Sequence, residues 1–188
     1  MIEPLPDLTF EATSPAGADA SWLALANDPG RGPVTALCSP AAGVFSVGTT
    51  MVECTAVDLA GNQATPVTFT VNVVDTTAPS AACTPSFNPS GKNIPKASRQ
   101  NEDGFYRVSS SDTVTTSPTI TIGGITLRQG ETVKFTQAPG FNGVAFVGTM
   151  GPQQVRHFRV GPGDPVLTVT DEAGNTSTRT CYVPPVPK

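Results

Sequence analysis

The pentapeptide Asp58-Leu59-Ala60-Gly61-Asn62 recurs later in the chain as Asp171-Glu172-Ala173-Gly174-Asn175, and each copy lies between two Thr/Val-rich runs. Gly and Asn tolerate left-handed backbone, and an Asp side chain accepts a backbone N–H within a tight turn, so the motif reads as a hairpin. A final alternating run follows each copy, and then a proline-containing exit, Ala78-Pro79 in the first case and Pro184-Pro185 in the second. The repeat therefore marks the last hairpin of each of two domains, expected at residues 1–77 and 78–188. The link Asp75-Thr76-Thr77-Ala78-Pro79 is short and stiffened by proline.

Period-two alternation dominates the rest. Leu8–Glu11, Thr50–Val57, Val67–Val73, Thr119–Ile122, Thr132–Phe135, Val155–Val160 and Val166–Thr170 each alternate apolar with polar or small residues, the pattern of a half-buried strand. Only Ala18–Ala26 has a helical alternative, and it too reads as a strand. Asn142-Gly143 and Gly161-Pro162-Gly163 punctuate the runs, and the polar, aperiodic stretch Pro89–Asp103 reads as a long surface loop. Charged residues make up only 14% of the 188, and the prolines and glycines are dispersed rather than clustered, which suits many short strands and argues against disorder. The fold class expected is all-β, two immunoglobulin-like β-sandwiches in tandem. No run is apolar for long enough to span a membrane, and Met1–Pro6 lacks the basic and apolar regions of a signal peptide.

Four cysteines stand at positions 38, 54, 83 and 181, with no Cys-x-x-Cys pair. Three pairings exist. The domain division selects Cys38 with Cys54, in neighbouring strands, and Cys83 with Cys181, in the first and last strands of the second domain. A four-thiolate zinc site is disfavoured because such sites draw ligands from close pairs. Disulfides in turn imply an oxidising compartment, so the expected location is extracellular, secreted or at the cell surface.

The first 78 residues resemble the hyalin-repeat (HYR) family of extracellular immunoglobulin-like modules. Carrying the resemblance are Leu8-Thr9-Phe10-Glu11-Ala12-Thr13-Ser14-Pro15-Ala16-Gly17, Cys38-Ser39-Pro40, the run Gly43 to Ala56, the Asp58–Asn62 turn and the exit Val73 to Pro79. Ser46 departs from the family, which often has Pro there. The resemblance implies adhesive or structural roles and offers no catalytic residues to carry over. The second domain resembles bacterial immunoglobulin-like domains through its hairpin motif, flanking cysteines and entry sequence, which implies fold and not function.

Chemistry is sparse. The single histidine, His157, alternates with Phe158 and is expected to face solvent, without an evident nucleophile. The bases of the second domain are scattered and barely interleaved with aromatics, which disfavours nucleic-acid binding. Asp75, Asp171 and Asn175 could supply oxygens to a calcium ion if the last hairpin of the second domain approaches the link; otherwise no cofactor is expected. Lys134 is the one lysine in a strand, and an isopeptide bond from it is a weaker alternative to a plain exposed lysine. Asn175-Thr176-Ser177 formally fits a glycosylation acceptor.

The net charge of −4 conceals a split: residues before Ala78 carry eight acids against one base, −7, and the remainder carries +3. Such an asymmetry favours head-to-tail contact between copies. The expected function is thus a non-catalytic extracellular structural or adhesive unit, self-associating into a filament or meeting other extracellular proteins. The alternative is a carbohydrate-binding accessory module of a secreted enzyme. It is ranked second because Trp22, the only tryptophan, falls in an expected strand and is assigned to the core.

Overall fold

The computed structural model describes residues 1–30, 32–86, 105–137, 144–150, 153–161 and 163–182. The expected surface loop Pro89–Asp103, the Asn142-Gly143 turn, the central residue of Gly161-Pro162-Gly163 and the Pro184-Pro185 exit lie outside the described residues. Among those described there is no helix, and the chain is all-β with two disulfides. It divides into two compact units, Met1–Thr76 and Thr77–Lys188.

Unit 1 holds β1 (Leu8–Glu11), β2 (Ala18–Ala20), β3 (Leu25–Asp28), β4 (Gly32–Thr35), β5 (Leu37–Ser39), β6 (Gly43–Phe45), β7 (Gly48–Thr55) and β8 (Val67–Val74). Its main sheet has the order β1-β8-β7-β5, with β1 parallel to β8 and the other pairs antiparallel. Strict alternation along β7 and β8 sends Val52, Cys54, Phe69, Val71 and Val73 into the core while Met51, Glu53 and Thr68 face out. Two short ladders, β2–β6 and β3–β4, contribute Ala18, Ala20, Ala26 and Phe45 to the buried set. Alanines there leave little depth for larger side chains. Gly17 marks the closest approach: its φ is +107°, and an added Cβ would lie 1.8 Å from the Phe45 carbonyl oxygen.

The stretch Ala18–Ala26 is not one strand. β2 ends at Ala20, residues 21–24 run without strand pairing, and β3 begins at Leu25. This break corrects the assignment of Trp22. Its side chain is half-buried rather than enclosed.

Unit 2 holds β9 (Ser80–Pro85), β10 (Phe105–Ser111), β11 (Thr119–Ile122), β12 (Ile125–Leu127), β13 (Thr132–Gln137), β14 (Val144–Met150), β15 (Gln153–Val160), β16 (Val166–Thr170) and β17 (Thr176–Thr180). A five-stranded sheet, β14-β15-β13-β10-β9, contains one parallel pair, β13 with β15. The second sheet runs β12-β11-β16-β17 and is antiparallel throughout. Tyr106, Val108, Val133, Phe135, Phe158 and Val160 of the first sheet and Ile120, Ile122, Leu127, Leu167 and Val169 of the second form one apolar cluster. Tyr106, Phe135 and Phe158 step across three adjacent strands with ring centroids 5.7 and 5.6 Å apart, at tilts that suit aromatic quadrupoles.

Candidate functional site

The two copies of the repeat build the same turn. In the first, Asp58 Oδ1 accepts the backbone N–H groups of Ala60 and Asn62, each at 2.8 Å, and Oδ2 accepts Asn62 Nδ2 at 2.7 Å. In the second, Asp171 Oδ1 accepts the N–H of Asn175 at 2.8 Å and Oδ2 accepts its Nδ2 at 2.9 Å. Gly61 and Gly174 take φ near +90° (+89° and +92°), the left-handed backbone that closes each turn at small cost only for glycine. The settings differ. Asp171 is 7% exposed and joins β16 directly to β17, whereas the Asp58 turn sits within a longer connection, 56–66, between β7 and β8.

These contacts give Asp171 and Asn175 a structural task. Both oxygens of Asp171 already accept hydrogen bonds from Asn175, and Asn175 Nδ2 also reaches the Thr77 carbonyl at 3.5 Å. Asp75, the third member of the expected calcium set, is buried within unit 1. Among the described residues, no three His, Cys, Asp or Glu side chains group as metal ligands would. The same engagement of Nδ2 ties the glycosylation-like Asn175, itself half-buried, into the turn.

Cys38 bonds to Cys54 across the β5–β7 ladder, where the two residues are direct partners. Cys83, in β9, bonds to Cys181, which stands one residue past the end of β17 rather than within the last strand. The closed loops span 16 and 98 residues of separation. By the chain-entropy relation such loops stabilise by about 3 and about 4–5 kcal/mol.

His157 stands on the face opposite the buried Phe158, as its alternation predicts, but is not fully open to solvent. It is half-buried on β15, an inner strand, directly opposite Lys134 of β13. Burial and the neighbouring ammonium both hold its pKa below the ordinary 6.5. Lys134 in turn places its Nζ 4.9 Å from the centre of the buried Phe105 ring, a cation–π contact. Glu131 pairs with Arg156 at 2.9 Å, and another oxygen of the same carboxylate accepts the Arg128 backbone N–H. These polar groups brace strands.

A groove in unit 1 is a candidate for recognition. Its volume is about 340 Å³, and Pro4, Leu5, Pro6, Trp22, Leu23 and Leu25 supply most of its apolar lining, with Glu3 and Ser21 as polar edges. Residues 3–7 form one wall, held at one end by Glu3 N–H donating to the Leu25 carbonyl (2.9 Å) and at the other by Asp7 Oδ1 accepting the Thr70 N–H (2.7 Å). Trp22 packs against Phe45 and edge-on against Phe69, at 5.8 and 5.3 Å between centroids, which fixes the indole from behind. Sequence reasoning missed this groove. Its only signal was a Pro-x-Pro pair preceding a strand, which carries no periodicity.

The groove is suited to holding an apolar or planar ligand against the indole and not to moving protons or bonds, since its edges offer one carboxylate and one hydroxyl. No family model matches the chain, and neither do any curated proteins or solved structures.

Proposed function

We propose that the chain is a non-catalytic extracellular structural or adhesive unit, made of two immunoglobulin-like sandwiches, the first of hyalin-repeat type, whose copies associate head to tail. The carrying observation is the opposition of charge along a doubly stapled chain: −7 in residues 1–77 and +3 beyond. Two disulfides favour an oxidising setting over the cytosol. In unit 2, two sheets share one apolar cluster, the arrangement expected of a sandwich. The hydrogen-bonded Asp–Asn turns and the strand-bracing Glu131–Arg156 ion pair support a building role, because they serve the framework.

Light scattering across concentration tests the association. The mean molar mass should rise with concentration in low salt and fall back toward 19.3 kDa when salt screens the charges. A mass that stays at the monomer value under both conditions rejects the reading.

A second reading, polysaccharide binding, draws on the position of Trp22 at a groove instead of in the core. Sugars stack on exposed indoles, but their hydroxyls also need polar partners. Glu3 and Ser21 are few for that purpose, so this reading ranks second.

A further inference from the structure

We propose that the Trp22 groove receives a proline-rich strand, and that the strand is residues 183–187 of a second copy, Val183-Pro184-Pro185-Val186-Pro187. The inference rests on the self-association reading above and names the surface through which it runs.

The groove has the chemistry of a polyproline receptor. An indole fixed from behind by two phenyl rings faces a wall carrying Pro4 and Pro6, with the apolar side chains of Leu5 and Leu23 beside them. Both ends of the 3–7 wall are pinned by hydrogen bonds, so the site is formed before a ligand arrives and little ordering cost is added on binding. A polyproline II strand makes no internal hydrogen bonds, which leaves its carbonyls open to donors, and its proline rings pack on aromatic faces. Trp22 offers the matching donor: among the described residues its indole N–H has no acceptor. A sugar would find only Glu3 and Ser21 for its hydroxyls, so a proline-rich peptide is the better fit.

Within the chain, the densest proline run is Pro184-Pro185-Val186-Pro187, three prolines in four residues, followed by Lys188. Proline fixes φ near the polyproline II value, which lowers the entropy lost on docking. Charge agrees as well. Glu3 lies at the groove in the −7 part of the chain, and Lys188 ends the +3 part. The occupant and its receptor thus carry opposite signs.

Trp22 is the sole tryptophan, so its emission reports on the groove alone. The test uses the full chain with Pro184→Ala, Pro185→Ala and Pro187→Ala, which removes the competing segment, and titrates a synthetic peptide Val-Pro-Pro-Val-Pro-Lys. A saturable emission change with Kd on the order of 0.1–1 mM is expected for so short a ligand. The all-alanine peptide Val-Ala-Ala-Val-Ala-Lys should bind at least about tenfold more weakly. Leu23, 71% exposed, can be changed to Ser without disturbing the core, and that variant should lose about tenfold in peptide affinity at an unchanged thermal midpoint. The triple-alanine chain should also lose the salt-sensitive association of the natural sequence.

Absence of any response to several millimolar peptide, or equal binding of the alanine peptide, overturns the inference. So does a saturable response to cellulose, chitin or xylan oligosaccharides with none to the peptide, which assigns the groove to sugars. Association that persists in the triple-alanine chain rejects this docking mode and leaves the wider self-association reading standing. A natural chain that never associates rejects both.

Discussion

Asn175 donates to Asp171 twice, through its backbone N–H at 2.8 Å to Oδ1 and through its side-chain amide at 2.9 Å to Oδ2. This fork closes the β16–β17 hairpin over a left-handed Gly174, and it satisfies a carboxylate that is 7% exposed. Breaking it leaves polar groups unpaired: Asp171→Ala takes the acceptors away from the Asn175 N–H and side-chain amide, and Asn175→Ala strands the Oδ2 of Asp171. Asp171→Ala should therefore destabilise the protein by about 1–3 kcal/mol, and Asn175→Ala by a similar amount, in denaturant unfolding. Added calcium should leave the unfolding midpoint unchanged, because the fork already engages both oxygens; a clear calcium-dependent rise would reassign Asp171 and Asn175 to a metal.

Gly17 gives the sharpest single-residue prediction. Backbone stands where its side chain would go, the Phe45 carbonyl oxygen 1.8 Å from an ideal Cβ, and its φ of +107° is poorly tolerated by L-residues. Nothing flexible can move aside. Gly17→Ala should cost more than about 3 kcal/mol or prevent folding of unit 1, read from Trp22 emission during denaturation. Gly163→Ala, with positive φ but open space around it, should be much milder.

Removing each disulfide should separate by loop length. Cys83→Ala with Cys181→Ala opens the longer loop and should lose about 4–5 kcal/mol, against about 3 kcal/mol for Cys38→Ala with Cys54→Ala. Equilibrium denaturation of the two double variants checks the order.

Stability should decline on the acid side in two windows. Hydrogen bonds from Thr70 hold the Asp7 carboxyl below 3.8, and bonds from Asn62 do the same for Asp58. A lowered carboxylate pKa gives stability that is present above the unfolded value and is lost as pH falls through the folded one. The pKa of His157 is lowered by burial and by Lys134, so the unfolded chain takes its proton first. Its contribution is complete above 6.5 and declines as pH drops from 6.5 toward the folded value. Unfolding midpoints measured in steps of pH should show the upper window disappear in His157→Gln and the lower one shrink in Asp58→Asn.

How far these features could be read from the sequence depends on their period. The inner strands β7, β8, β11, β13 and β16 alternate cleanly because one face meets the core, and their residues follow the expected facing except Met51, which was expected on the core side and instead shares the outer face with Glu53. The repeated turn was legible too, since Asp, Gly and Asn each have one physical reason to sit there. Trp22 was misassigned because Ala18, Ala20, Ala24 and Ala26 are all buried, which mimics a continuous strand across the break at 21–24. Alternation with Phe158 gave the correct face for His157 but not its depth, which comes from the strands on both sides of β15. The groove needed tertiary structure, as its walls come from an aperiodic segment and an interrupted one.

Charge neutralisation on one half of the chain addresses the account most directly. Glu3→Gln, Asp19→Asn and Glu53→Gln are exposed changes that bring the first part from −7 to −4. Sedimentation velocity at low ionic strength should then show the natural chain associating as its concentration rises and the charge-reduced chain associating more weakly. Equal sedimentation of the two, whether both associate or neither does, would contradict an assembly driven by opposite charges on successive copies.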